Sequence, residues 1–384
     1  MTVGTSPYLD RRTLEDSPLQ TGTLIAGQKQ LVFFDPDAPP PNTQAILDAL
    51  NPDNPLSPYF GMVGNRKGIG RLVRIDFNSL TKYNHDASEL NVAVLGGSGS
   101  GKTEVVRRHL KANRLPTIEI HPKAARRLHD IFLAIKEKCQ ECGVPLVQMG
   151  KPNYYVSPPV NVFFDEVHAL APNIVQGLLK ATEKKDRILV TEEGVTLDCR
   201  YVHWVIATTD RGRLFDAFDT RFTRIQLGFY KKEEIARIVH FNYPEIPMDA
   251  CTLAAHYAGK VPREAIAFAS EMKLEYAMYP GDWSAVAHKV AQENDIDEHG
   301  MTGQRVKVIA ALGQGPVAAN RLPFSVGVKV EELEKFILPW LMEPTEEAPP
   351  LVSVTSRGYT ITEAGLEELD KRQIQHKGKD ALAA

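Results

Sequence analysis

The sequence predicts an α/β domain built on a parallel sheet with helices on both faces, then a helical domain, then a C-terminal winged helix. Three observations predict it. Apolar strand-like runs alternate with helical patterns from about residue 91 to residue 207, as crossover-connected parallel strands require. One of those runs, Val92 to Leu95, stops at a glycine-rich loop that opens a helix. After Lys231 the strands vanish, and only an apolar pair around a Ser356-Arg-Gly358 turn brings them back.

The elements follow in order. Residues 1–58 read as an extension, polar and turn-rich, with one strand-like run (Leu31 to Phe34), a proline-rich break at Asp37 to Asn42 and a short capped helix at Asn42 to Leu50. The α/β domain is expected over 59–230. It starts with a helix from Gly64 to Leu80 carrying Arg66, Lys67, Arg71 and Arg74. The strand at 92–95, a helix at 101–112, a strand at Pro116 to Ile120 and a long helix from about Lys123 to Cys139 come next. A loop-rich insert (143–159) precedes the apolar strand Val160-Asn-Val-Phe-Phe164, and further strands fall near Ile188 to Thr191, Val195 to Leu197 and His203 to Ala207. A helical domain at 231–298 has patterns at 231–241, 249–257, 263–279 and 284–295. The winged helix at 299–370 has helices at 303–312 and 330–342 before its hairpin, and 371–384 reads as a flexible tail.

Bulk composition narrows the function classes. The 384 residues are 43% hydrophobic and 24% charged, ordinary for a globular protein of two or three domains. A net charge of −3 carries no global nucleic-acid signature, so DNA affinity has to come from a local basic surface. No apolar run approaches a membrane span and the N-terminus lacks a signal pattern; with four cysteines making no disulfide framework, a reduced, cytoplasmic protein without membrane contact is expected.

The chemistry sits in Asn91-Val-Ala-Val-Leu-Gly-Gly-Ser-Gly-Ser-Gly-Lys-Thr103. Gly96, Gly101, Lys102 and Thr103 fit the G-x-x-x-x-G-K-[ST] phosphate loop in its strand-loop-helix setting. Glycines let the backbone curl so that the N–H groups of Gly96, Gly97, Ser98, Gly99, Ser100 and Gly101 surround phosphate oxygens, and the helix start adds positive charge. Lys102 then serves as a point charge on the β/γ-phosphates of ATP, and the Thr103 hydroxyl as a Mg²⁺ ligand. The second strong strand delivers Asp165-Glu166 at its C-terminal end, where ligands collect in open α/β sheets. Asp165 is placed to hold Mg²⁺, and Glu166 to polarise the attacking water.

With Asp165-Glu166-Val-His168, Ile206-Ala-Thr-Thr209, Asp219-Thr-Arg-Phe222 and Gly259-Lys-Val-Pro-Arg263 added, the motifs occur in the order of an AAA+ ATPase. Their spelling resembles the RuvB branch-migration motors, and Gly300-Met-Thr-Gly303, Gly315-Pro-Val317 and Arg357-Gly-Tyr-Thr360 extend the likeness to roughly residues 59–370. The resemblance implies a P-loop AAA+ domain, a helical lid and a winged-helix DNA-binding domain. It implies that Thr209 is sensor 1, orienting water, that Arg263 is sensor 2, reaching from the lid to the phosphates, and that Arg221 is an arginine finger acting on the neighbouring subunit's nucleotide. Arg224, three residues on, competes for the finger role. A finger working in trans implies a ring, with six subunits as in the family, and an ATPase with DNA translocation, helicase or branch-migration activity in recombination and repair.

The fold does not choose the polymer by itself. Arg357 at the hairpin tip suits a phosphate or a minor groove. Lys371, Arg372, His376, Lys377 and Lys379 make the chain end modestly basic, and His121-Pro-Lys-Ala-Ala-Arg-Arg127 is basic where protein-threading relatives carry an aromatic pore loop. These features favour duplex or junction DNA over the alternatives, a protein remodeller or a nucleotide-switched loader or assembly factor. The chain departs from the RuvB pattern in its N-terminal extension, in the insert, in Gly-Gly-Ser-Gly-Ser where Gly-Pro-Pro-Gly is common, and in Tyr359 where a second wing arginine is usual. The hairpin at about Arg187 to Arg200 is shorter than the one that docks RuvA, which argues against a RuvA-like loader. Cys139-Gln-Glu-Cys142 has metal-like spacing but no second cysteine pair, so reduced thiols are expected there. Tyr154-Tyr155 reads as loop packing, and Phe336 and Trp340 as core.

Overall fold

The computed structural model describes residues 48–51, 54, 57–59, 62, 64, 66–81, 91–113, 115–144, 146–148, 153–156, 159–185, 187–209, 218, 220–228, 230–259, 261–342 and 349–378. The Leu31 to Phe34 run, the proline-rich break, Asp219, Lys379 and the Phe336 side chain lie outside the described residues. The chain divides into two compact units, residues 1–60 with 66–227, and residues 61–65 with 228–384.

The first unit opens with α1 (Arg66–Thr81), then β1 (Val92–Leu95), α2 (Lys102–Asn113), β2 (Thr117–Ile120) and α3 (Leu128–Glu141). Short strands β3 (Leu146–Gln148) and β4 (Asn153–Val156) precede β5 (Val160–Phe164) and α4 (Pro172–Ala181). A hairpin, β6 (Ile188–Val190) and β7 (Thr196–Asp198), leads into β8 (Val202–Thr208) and then β9 (Thr223–Gln226). The main sheet has the order β2-β5-β8-β1-β9, every neighbouring pair parallel. Strands β1, β5 and β8 are buried along their whole length. A parallel sheet covered on both faces produces that burial, and it is why these strands read as unbroken apolar runs. Trp204 is fully buried, stacks on Phe164 at 6.2 Å between centroids and donates its indole N–H to the Ala181 carbonyl at 3.1 Å.

Two expectations need correction here, and one strand was not expected. The insert at 143–159 is not loop alone: β3 and β4 join β7 and β6 in a second sheet, order β3-β4-β7-β6, whose Val156, Leu189 and Leu197 share one core with Ile131 and Ile135 of α3. Strands β3 and β4 are short and half-exposed, so neither shows an apolar run that stands out from the loop around it. Helix α3 begins at Leu128 rather than near Lys123, because Glu192 in the β6–β7 turn accepts from the backbone N–H groups of Leu128 (3.0 Å) and His129 (3.1 Å). A cap supplied from 64 positions away leaves no local signature. Strand β9 had no expectation at all, since Thr223-Arg-Ile-Gln226 on the sheet's edge is half polar.

Helices α1 and α2 are joined by buried polar groups. The Tyr59 hydroxyl donates to one oxygen of Asp76, and His109 Nδ1 approaches the other to 2.8 Å, all three residues being buried. Burial and the adjacent carboxylate push the Tyr59 phenol far above its ordinary range. At the end of α3, burial pushes the Cys139 thiol up to about 12, and all four cysteines are unpaired.

The second unit starts with four helices, α5 (Lys232–Asn242), α6 (Met248–Ala258), α7 (Pro262–Met278) and α8 (Trp283–Glu293), around a core that includes Val239, Ala254, Phe268 and Met272. Helices α9 (Gly303–Leu312) and α10 (Leu322–Val326) follow. The next helix, α11, is continuous through Val330–Glu332, a π-wound Leu333–Ile337 and Leu338–Met342. Then come the antiparallel pair β10 (Val352–Thr355) and β11 (Gly358–Ile361), and α12 (Glu363–Lys371). These elements close a separate core around Val308, Leu312, Leu338 and Leu369. Helix α12 was not expected, although Thr362, whose hydroxyl accepts from Gly365 N–H at 3.1 Å, is a cap signal. The flexible tail also needs correction through residue 378. Arg372 pairs with Asp297 at 2.7 Å and Glu368 at 2.5 Å, and Lys377 N–H donates to the Gly313 carbonyl at 2.9 Å.

Candidate nucleotide site

The glycine loop leaves the buried end of β1 and returns as α2. Gly99 and Gly101 adopt φ of +75° and +89°, which L side chains rarely take, and a Cβ on Gly96 would lie 2.7 Å from Ser100 Oγ. The turn is held by Ser100 Oγ donating to the Gly97 carbonyl (2.9 Å), while Gly96 N–H reaches the Thr208 carbonyl at 3.4 Å. Lys102, at the first position of α2, is only 5% exposed; its Nζ donates to the Gly97 carbonyl at 3.1 Å and lies 3.6 Å from Glu166 Oε1.

Register brings the acids to the same edge. Leu95 pairs with Thr208 and Phe164 with Ile206, so β1, β5 and β8 end side by side. There Thr103 Oγ1 donates to Asp165 Oδ2 at 2.9 Å. Glu166 sits in the left-handed region, φ 53° and ψ 53°, a conformation that costs a non-glycine residue roughly 1–2 kcal/mol. That turn aims its carboxylate back at the loop: Oε2 accepts from the backbone N–H and from the hydroxyl of Thr209, both at 2.9 Å. His168 Nδ1 lies 3.2 Å from Glu166 Oε2 and 2.9 Å from Thr208 Oγ1. Lys102, Thr103, Asp165, Glu166 and Thr209 thus form one cluster. The sequence reading left out the contacts of His168 and Thr208, because they arise from strand register and the turn at Glu166.

Arg221 lies elsewhere. Thr223 pairs with Val92 and donates its N–H to the Asn91 carbonyl at 2.8 Å, so Arg221 stands near the start of β1 while the glycine loop begins at its end. The rise of the strand separates the two by about 16 Å. Arg221 Nη2 is 3.5 Å from Glu183 Oε1, and its carbonyl accepts from Asn91 Nδ2 at 3.5 Å. Asn91 Oδ1 also accepts from the buried Arg187 guanidinium (2.9 Å) and from Trp204 N–H (3.2 Å), which fixes this end of the sheet. Arg224 is half-buried on β9, its carbonyl accepting from Arg71 at 3.0 Å.

In the other unit, Arg263 is exposed in the first turn of α7. Arg357 is exposed at the β10–β11 turn, its N–H donating to Thr355 Oγ1 at 3.3 Å. In the basic segment His121, Lys123, Arg126 and Arg127 are exposed, but Arg127 is engaged by Glu193 (3.3 Å) and Asp130 (3.4 Å). Backbone hydrogen bonds, Arg127 N–H foremost, hold the Asp130 carboxyl below its ordinary range.

The loop cluster fits a nucleotide triphosphate with Mg²⁺. It offers a nearly buried ammonium, glycine N–H groups, and a hydroxyl-carboxylate pair of hard oxygen donors. Among the described residues no group of three His, Cys, Asp or Glu side chains converges as a self-sufficient metal cage. Among the described residues no helix is long and apolar enough to cross a membrane.

No family model matches the chain. Among solved structures, the Thermotoga maritima RuvB Holliday-junction branch-migration motor aligns with a TM-score of 0.62 and 19% identity, over 85% of this chain and 98% of that one. A point mutant of the same RuvB aligns with a TM-score of 0.61 and 18% identity, over 80% of this chain and 95% of that one. The fold is therefore that of an AAA+ α/β domain with helical lid and winged helix, as divergent in sequence from those RuvB structures as 18–19% identity implies.

Proposed function

We propose that this chain is an ATP-hydrolysing motor that works as an oligomeric ring on duplex or branched DNA. The observation that carries the reading is the separation within one sheet: the Lys102-Thr103-Asp165-Glu166-Thr209 cluster at one end, and Arg221 at the other. An arginine a strand's length from its own phosphate loop suits the nucleotide of an adjacent subunit.

The residues divide the reaction as follows. Lys102 and the loop N–H groups would hold the phosphates of ATP, and Thr103 with Asp165 would hold Mg²⁺, which when bound would supply positive charge against the phosphates. Both oxygens of the Glu166 carboxylate are engaged, one by Lys102 and the other by Thr209. Phosphate oxygens compete for Lys102 and so release one Glu166 oxygen as a base. Glu166 then takes a proton from the water as the water oxygen bonds to the γ-phosphorus and the bond from that phosphorus to the β,γ-bridging oxygen breaks, leaving ADP and phosphate. Thr209 orients the water and the base, Arg263 reads the phosphates from the lid, and the neighbour's Arg221 stabilises charge in the transition state.

DNA as the polymer is supported by the exposed Arg357 at the wing tip. The exposed residues Glu331 and Glu334 of α11, and Glu363, Glu367 and Asp370 of α12, are acidic. Repulsion from phosphates weighs against these acidic stretches and supports the wing as the DNA-facing element, although α12 ends in the exposed Lys371. The same acidic helices favour a loader or assembly factor as the second reading. ATPase rate with and without duplex and junction DNA, with oligomeric state recorded under ATP, separates them. Stimulation by DNA in an assembled state is expected; full turnover by a monomer indifferent to DNA would reject the motor. Weak turnover with ATP-dependent complex formation would favour the loader.

A further inference from the structure

The winged helix is built into the turn that carries Arg263. Gly259, the first residue of the Gly259-Lys-Val-Pro-Arg263 motif, has φ +82° and ψ −148°, and a Cβ there would come within 2.5 Å of Trp340 Nε1. The indole of α11 therefore rests directly on the backbone of this turn. Its ring is covered by the Arg305 guanidinium of α9, 4.4 Å from the ring centroid. Arg305, 9% exposed, extends past the indole to Glu264, with 3.4 Å between Nη2 and Oε2. Glu264 follows Arg263 in the first turn of α7. Two winged-helix side chains thus bracket Arg263, one against the residue that opens its turn and one against its immediate neighbour.

The bracket is backed at its base. His256 Nε2 lies 2.8 Å from the Glu298 carbonyl, and a Cβ on Gly300 would meet the His256 carbonyl at 2.4 Å, so the segment before α9 closes on the end of α6. Burial works against the charge on Arg305, and the Glu264 carboxylate opposes that effect. A guanidinium in this position is held both by a flat stack and by an ion pair, which a lysine ammonium reproduces poorly.

We propose that Arg305 and Trp340 are positioning residues for Arg263, making the conformation of the nucleotide-reading arginine depend on the winged-helix domain. The inference rests on Arg263 contacting nucleotide. It gives load on the wing a route to the ATP site through Trp340–Gly259 and Arg305–Glu264.

The test is affinity of the full chain for a fluorescent ATP analogue, with thermal melting as a fold check. Arg305→Met, which keeps length and loses charge, should weaken binding about tenfold, as for loss of one coupled polar contact. Trp340→Leu should act in the same direction. Arg305→Lys should fall between Met and wild type. In an Arg263→Ala background, Arg305→Met should add nothing, whereas a general weakening of the fold would add its full effect. Wild-type affinity for Arg305→Met, or an undiminished loss in the Arg263→Ala background, would overturn the proposal. If Arg305→Met does not fold, Glu264→Gln removes the ion pair from the lid side, and unchanged affinity there has the same force. Arg263→Ala binding as tightly as wild type would instead reject the reading of Arg263, and the bracket's role with it.

Discussion

In the proposed reaction, Glu166 is the residue on which most of the chemistry turns. Its carboxylate is bounded by Lys102, Thr209 and His168, and its backbone is held in a conformation few glutamates adopt. Glu166→Gln keeps an oxygen that accepts from Thr209 but removes the base. We expect ATP affinity near wild type and turnover lower by about 10²–10⁴, the usual worth of a positioned base. Single-turnover hydrolysis at wild-type rate would remove Glu166 from that role. The gathering of Lys102, Thr103, Asp165 and Glu166 at one sheet edge was legible in the sequence because Asp165 and Glu166 follow directly on the buried β5, while Lys102 and Thr103 follow the buried β1 across its glycine loop. The His168–Thr208 contact was not, since it needs β5 and β8 in register.

Elements were legible in proportion to their length and apolar content. Strands β1, β5 and β8 announced themselves as apolar runs, and the lid helices by their period. Strands β3 and β4 of the second sheet, β9 and α12 did not, the strands being half-exposed or half polar and α12 lying beyond the hairpin, whereas β6 and β7 of the second sheet were expected. Docking of residues 372–378 depends on a buried guanidinium pairing with carboxylates on other segments, a contact no local pattern encodes. Against the cost of their burial, hydrogen bonds from Arg372 hold the Asp297 and Glu368 carboxyls below their ordinary values. Lowered folded values contribute stability that is fully present above the unfolded range, about pH 4, and lost as pH falls through the folded values. Arg372→Met should therefore cost about 2 kcal/mol at pH 7, the partial exposure of Asp297 discounting the full value for a buried pair. The melting-temperature gap to wild type should narrow as pH falls below about 4, through the folded values of the two carboxyls. A gap unchanged on acidification would show that packing, not the ion pairs, holds this segment.

For the whole molecule, the decisive property is that one chain carries an arginine and a phosphate loop at opposite ends of the same sheet. The order of motifs along the sequence suggested a finger acting across subunits, but only the parallel β1–β9 register sets the distance on which that role depends. Assembly then becomes testable with two inactive proteins. Lys102→Ala should bind no nucleotide yet retain Arg221; Arg221→Ala should bind nucleotide but lack the finger. In rings formed from an equal mixture, a competent interface needs Lys102 from one subunit and Arg221 from the next. Random mixing through heterologous contacts gives this at about a quarter of the interfaces. ATPase activity should therefore rise from the level of either variant to a substantial fraction of wild type when they are mixed, and fall again on dilution below the assembly concentration. Were Arg221 to serve its own subunit's nucleotide, no mixture could rebuild a site. Activity would then stay at the level of the separate variants at every ratio and concentration.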